Sequence, residues 1–117
     1  MGRERRRERG QASVELLGVA VAIGFLALVG WQAMLAAYAW QTAQGAARIA
    51  ARAGSVGAPV ERAALAALPG RLATRANVMY ATDRSGVVRV TVRVPIPRVL
   101  SGRASFGTVD GVATAAR

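Results

Sequence analysis

From Leu16 to Ala39 the chain carries no charged residue and only one strongly polar one, Gln32. At a helical rise of about 1.5 Å per residue this run is roughly 36 Å long, enough to cross the ~30 Å hydrocarbon core of a bilayer with some tilt. It predicts one membrane-spanning helix. Beyond Trp40 the helical pattern continues, with Gln41, Gln44, Arg48 and Arg52 on one face and Ala43, Ala46, Ala47, Ile49, Ala50 and Ala53 around the rest. The span is therefore expected to run on as a stalk to about Ala53, where Gly54, Gly57 and Pro59 break it. Residues 59–68 then read as a short amphipathic helix, Pro in its first turn, with Val60, Ala64, Leu65 and Leu68 inward and Glu61 and Arg62 outward; Pro69 and Gly70 end it.

After residue 70 the period changes from helical to alternating. Asn77–Thr82 reads as a strand, 83–86 (Asp-Arg-Ser-Gly) as a turn, and 87–94 as a strong strand with Val88, Val90, Val92 and Val94 on one face and Arg89, Thr91 and Arg93 on the other. A lone hairpin is marginal in water, so the Val face is expected to pack on the 59–68 helix. Pro95 and Pro97 end that strand or confine that part of it to an edge. A weaker strand is expected at 104–109, then a turn at Asp110 and Gly111, then a tail at 112–117. The fold class is α+β: a long N-terminal transmembrane helix extended as a stalk, a short helix and a small antiparallel sheet. Three segments result, 1–10, 11–53 and 54–117.

Size and composition narrow the function. With the span and its flank removed, about 60 residues remain, enough for one small core and too few for a large enzyme. The net charge of +10 comes from 16 Arg, no Lys and 6 acids. Five of the arginines lie in residues 1–10 and the rest are scattered from Arg48 to Arg117, so no single patch marks a nucleic-acid binder. Complete use of Arg in place of Lys, with abundant Ala and Gly, reads as base-composition bias. The absence of Cys and His removes thiolate sites, the usual general base and the commonest metal ligand. The acids past the span, Glu61, Asp83 and Asp110, sit where a helix start or a turn favours an acid, and Gly102 and Gly107 do not make a phosphate loop. No catalytic, cofactor-binding or metal site is expected; nor is a nucleic-acid or small-molecule partner.

The N-terminus is more specific. Residues 1–10, MGRERRRERG, hold five Arg against Glu4 and Glu8, a local charge of 5 − 2 = +3. A short basic segment beside a span stays cytoplasmic, which places the C-terminal domain outside. The apolar run is too long for an ordinary secretory signal, whose apolar region is roughly 7–15 residues. One acid, Glu15, stands at the mouth of the run, where it lies near the positive end of the helix dipole. A cation at the same depth would offset its desolvation. Cleavage after Gly10 would supply one, a new α-amino group on Gln11, four residues before Glu15.

The order basic tail, Gly10, Glu15, apolar helix resembles the processing site of type IV pilin-like precursors. The string Arg9-Gly-Gln-Ala-Ser-Val-Glu-Leu-Leu17 resembles specifically the TadE-like minor pilins of the tight-adherence (Flp) pilus system. The motif covers nine residues, while the layout of basic leader, single helix and small β-rich tail covers the chain. The resemblance implies a pilin-like fold and a prepilin peptidase that cuts after Gly10. It makes Gln11 the mature N-terminus and Glu15 the acid that guides processing or docking, with other pilins and pilus-assembly proteins as partners. Major Flp pilins usually place an aromatic residue after the acid; Leu16 here points to a minor or accessory subunit.

Small residues recur four apart, Gly18 with Ala22 and Ala20 with Gly24, and again at Ala39, Ala43, Ala47 and Ala51; such strips would let helices approach closely in lipid. Tyr38 and Trp40 suit an aromatic belt at the outer interface; Trp31 beside Gln32 lies deeper. The expected location is the cytoplasmic membrane, single-pass, N-terminus inside, with or without entry into a pilus. Two other readings fit the same residues: an uncleaved single-pass protein presenting a small binding domain to another envelope complex, and a secreted domain cut between about residues 36 and 54.

Overall fold

One helix, α1 (Gly2–Ser55), makes up nearly half of the chain. The computed structural model describes residues 2–97 and 107–117, with side chains from residue 7 onward. Two short helices follow, α2 (Val60–Ala66) and α3 (Gly70–Ala73), and then three strands, β1 (Asn77–Thr82), β2 (Val87–Pro95) and β3 (Thr108–Ala116). The class is α+β, with a long stalk-like N-terminal helix and a three-stranded antiparallel sheet of order β1-β2-β3. The chain divides into two compact units, Met1–Ala33 and Met34–Arg117. Among its described residues the first is helix alone; the second begins inside α1 and holds every other element.

The helix stops where its backbone bonding is closed off. The Gly57 N–H bonds the Gly54 carbonyl at 3.1 Å and the Ala58 N–H reaches back to Ala53 at 2.9 Å. Gly57 lies at φ 77°, the left-handed position that a glycine takes at little cost. Pro59 then caps α2, with Glu61 in its first turn and Val60 and Ala64 buried. The short α3, capped by Pro69, goes beyond the expected break at Gly70: its four residues turn Leu72 into the core. So short a helix leaves no periodic signature in the sequence.

The hairpin follows the expected turn. Asp83 and Val87 close it, and the Gly86 N–H bonds the Asp83 carbonyl at 2.9 Å. The Asp83 carboxylate accepts the Arg84 N–H at 2.7 Å and the Ser85 hydroxyl at 3.2 Å, the local bonding that favours Asp at a turn's first position. β2 is the central strand. Its residues Val88, Val90, Val92 and Val94 are almost wholly buried, while Arg89 and Arg93 are exposed. Pro95 ends the strand past Asn77, the last partner on the β1 side, so its missing N–H leaves no ladder bond unmade.

The Val face meets Val60, Ala64 and Leu68, as the amphipathic 59–68 segment predicts, but the same cluster contains Ala43, Ala46, Ala47, Ala50 and Ala51 of α1. The alanine strip from Ala43 to Ala51 is thus occupied by the chain's own sheet rather than left free for another helix. An alanine face keeps the helix axis close to the sheet, because no bulky side chain stands between them.

The turn expected at Asp110 and Gly111 is corrected: both lie inside β3, which continues to Ala116. Residues 104–106, the start of the expected weaker strand, lie outside the described residues. Two interactions override the local turn preference. Asp110 stands opposite Arg93 in the β2–β3 register, and the guanidinium grips the carboxylate with two bonds, Nε to Oδ1 at 2.8 Å and Nη2 to Oδ2 at 2.9 Å. Gly111 faces α1, where a Cβ would overlap the backbone of Ala43 and Gln44. A glycine here serves close approach and not a reversal of direction.

Next to that contact, Gln44 clasps the outer edge of β3. Its Nε2 donates to the Val112 carbonyl at 2.8 Å, and its Oε1 accepts the Val112 N–H at 3.0 Å. One side-chain amide thereby takes the place of one residue of a fourth strand.

Two outcomes are expected. Gly111→Ala should force α1 and β3 apart and lower stability by about 1–3 kcal/mol, whereas Gln44→Leu, which returns the Val112 groups to water, should cost only about 1 kcal/mol. Amide hydrogen exchange over β2 and β3 in detergent-solubilised protein measures both. The Asp110 carboxyl, hydrogen-bonded by Arg93, is held below the ordinary aspartate range. A depressed folded value means stability is present above the unfolded aspartate value and is lost as pH falls through the folded one. The acid limb of an unfolding curve should therefore flatten in Asp110→Asn, and an NMR titration of the carboxylate should show the low midpoint directly.

Candidate functional site: the N-terminal helix and its entrance

Gly10, Gln11 and Glu15 all lie within α1, which passes through them without a break. Each is exposed. Gln11 and Glu15 are four apart, so they stand on one face a single turn from each other. The Ser13 hydroxyl bonds back to the Arg9 carbonyl at 2.9 Å, a local bond across the Gly10–Gln11 peptide. Sequence gives no sign of this contact, since a Ser four residues after an Arg is too common to flag it.

The residues one turn from Glu15 are Gln11, Ala12, Gly18 and Val19, none of them charged. Arg93–Asp110 is the one ion pair among the described residues, so Glu15 has no cationic partner there. A carboxylate at the entrance of an apolar layer without such a partner costs free energy, on insertion scales up to about 3 kcal/mol at mid-depth and less near the surface.

From Val14 to Trp40 the helix leaves large apolar side chains in the open; Leu16 is 70% exposed, Phe25 65% and Leu26 67%. A core helix of a soluble protein would bury them. Among the described residues one helix is long and apolar enough to cross a membrane, and none of its most apolar window is buried within the chain. Trp31, Tyr38 and Trp40 are about half exposed.

The residues expected to pack helices together, Gly18, Ala20, Ala22 and Gly24, all fall on α1 and all are exposed. The chain itself does not bring them against a second helix: Ala22 and Ala20 stand in the open, and a Cβ at Gly18 or Gly24 would meet only open space. In this they differ from the later alanines, Ala43, Ala47 and Ala51, which the sheet covers. At about 100° per residue, the strip of Gly18 and Ala22 lies roughly 200° from that of Ala20 and Gly24, on the opposite side of the helix. Each leaves a shallow face where a second backbone could come near.

In the second unit, Glu61 and Asp83 take the helix-start and turn positions expected of them. On the face of β2 opposite the valines, Arg93 is committed to Asp110. No group of acids capable of holding a metal ion occurs among the described residues. Comparison with protein-family models, with characterised proteins and with solved structures gives no match to this chain, so the reading of the site stands on its residues alone.

Proposed function

We propose that this chain is a TadE-like minor pilin or pilus-assembly component of a tight-adherence pilus, inserted in the cytoplasmic membrane by α1 and trimmed after Gly10 by a prepilin peptidase. The observation that carries the proposal is the entrance to α1: a basic tail, Gly10, and a lone acid without a cation one turn away, followed by an apolar helix exposed from Leu16 to Trp31. Trimming turns Gln11 into a terminal ammonium one turn from Glu15, on its own helix or on a neighbouring copy, and so supplies the missing partner charge. Gly10 suits the scissile bond because a residue without a side chain admits close approach to the backbone, and because it weakens the helix locally by about 1 kcal/mol relative to Ala. The helix then serves as the assembly handle. Gly18 and Ala22 on one side, and Ala20 and Gly24 on the other, give it two faces for neighbouring helices, and the small domain is presented outside the membrane. Nothing in this role requires the chain itself to be an enzyme.

One observation favours a second reading, an uncleaved single-pass anchor for a small binding domain. α1 continues through the Gly10–Gln11 bond, which a protease must unwind before it can cut.

The mass of the mature chain separates the two. In cells with working pilus machinery the polypeptide should begin at Gln11, and Gly10→Leu should retain the leader; normal maturation of Gly10→Leu would remove the proposal, and Met1 or Gly2 at the mature end would establish the second reading. Glu15→Val should leave the helix membrane-bound while reducing co-purification of other pilin-like helices in mild detergent.

A further inference from the structure

The two edges of the sheet are built differently. On β3 the outer edge is guarded: Gln44 fills the position of a strand partner at Val112, and α1 presses on Gly111. On β1 nothing comparable occurs among the described residues. The ladder to β2 and the Asp83–Val87 closure turn the backbone groups of Asn77, Met79 and Ala81 toward β2, which leaves the N–H and C=O of Val78, Tyr80 and Thr82 pointing away from the sheet. Among the described residues none of these outward groups has a partner.

The strand also lacks the devices that usually blunt an edge. Asn77–Thr82, NVMYAT, contains no charge, no proline and no bulge. Five of its six residues are exposed, including Met79 at 47% and Tyr80 at 59%, although Tyr80 shares the core-facing side with Val90. Only Val78 is half-covered. An uncharged strand with β-favouring residues, exposed at five of its six positions and open along one side, is a template for another strand.

Charge decides what kind of strand. Arg75 lies just before β1 and Arg84 just after it; both are exposed and neither has an ion pair among the described residues. Arg71 in α3 and Arg89 on β2 add to the same sign nearby. Copies of a chain with a net charge of +10 repel one another, which weighs against self-pairing of β1.

We propose that the free edge of β1 receives an extended segment of a partner protein, uncharged and alternating apolar with polar at its centre and carrying carboxylates at both ends. Backbone bonds to Val78, Tyr80 and Thr82 supply the pairing, Met79 and Tyr80 contact the centre, and Arg75 and Arg84 receive the acidic ends. This surface does not depend on cleavage after Gly10, so its success or failure is separate from that of the pilus reading.

The test uses the full chain in detergent micelles and a fluorescent peptide of alternating Val and Thr with Glu at both ends, compared with the same peptide carrying Lys at the ends. The Glu peptide should bind about fivefold or more tighter at low salt, and the preference should fade as salt rises, since exposed ion pairs each contribute little and are screened. Tyr80→Pro should abolish binding while hydrogen exchange shows the β1–β2 ladder intact, because the lost N–H faces away from β2. Arg75→Glu with Arg84→Glu should invert the preference toward the Lys peptide without touching the strand. Equal binding of both peptides, or no binding of either, would overturn the proposal. Concentration-dependent self-association of the chain that Tyr80→Pro removes would overturn it too, assigning the edge to a second copy.

Discussion

The small domain depends on how closely a helix can lie on a sheet. Ala43, Ala47 and Ala51 on α1 present a face of methyl groups, and β3 answers with a residue that has no side chain, Gly111. Bulk on either side would lift the helix off β3 and open the Val face of β2 to water. Because so few residues are available, the domain cannot fill such a gap with a second layer of side chains; removing water from Val88, Val90, Val92 and Val94 rests on this approach. Gln44 is placed by the same approach, since its amide reaches both polar groups of Val112 only when the helix lies against that edge.

The elements made visible by the sequence are those with a sustained period. The apolar run, the Val88–Val94 alternation and the Asp83–Gly86 turn each repeat or punctuate strongly enough to fix their type, and the strand Asn77–Thr82 is bounded as its pattern suggests. What could not be read locally are the places where a distant residue overrules a neighbour. Asp110 and Gly111 form a favoured turn pair taken alone, yet Arg93, seventeen positions away, and the backbone of Ala43 hold them in a strand. The small residues of α1 pose the same problem. A strip such as Gly18 with Ala22 and a strip such as Ala43 with Ala47 look alike in sequence, yet the first is bare and the second meets a sheet. Gln44, one of several polar residues on its helix face, gives no local hint that it closes a strand edge 68 positions downstream.

At the entrance to the apolar run the situation is reversed, and sequence carries nearly all of the information. Order, spacing and charge of Gly10, Gln11 and Glu15 are properties of a short string, and folding adds that they lie on continuous helix, with one turn between Gln11 and Glu15. Docking into a neighbour, or into a protease, is not encoded in the contacts of a single chain. The free edge of β1 illustrates the opposite limit, because an unpaired strand margin emerges only from topology.

The long apolar helix also supplies one wall of the small domain. In the second unit the buried alanines of α1 run from Ala39 to Ala51, and those from Ala43 onward belong to the core cluster. A version shortened past Ala43 would therefore expose the valines it was meant to preserve, so the lower part of the long helix and the head fold as a single piece.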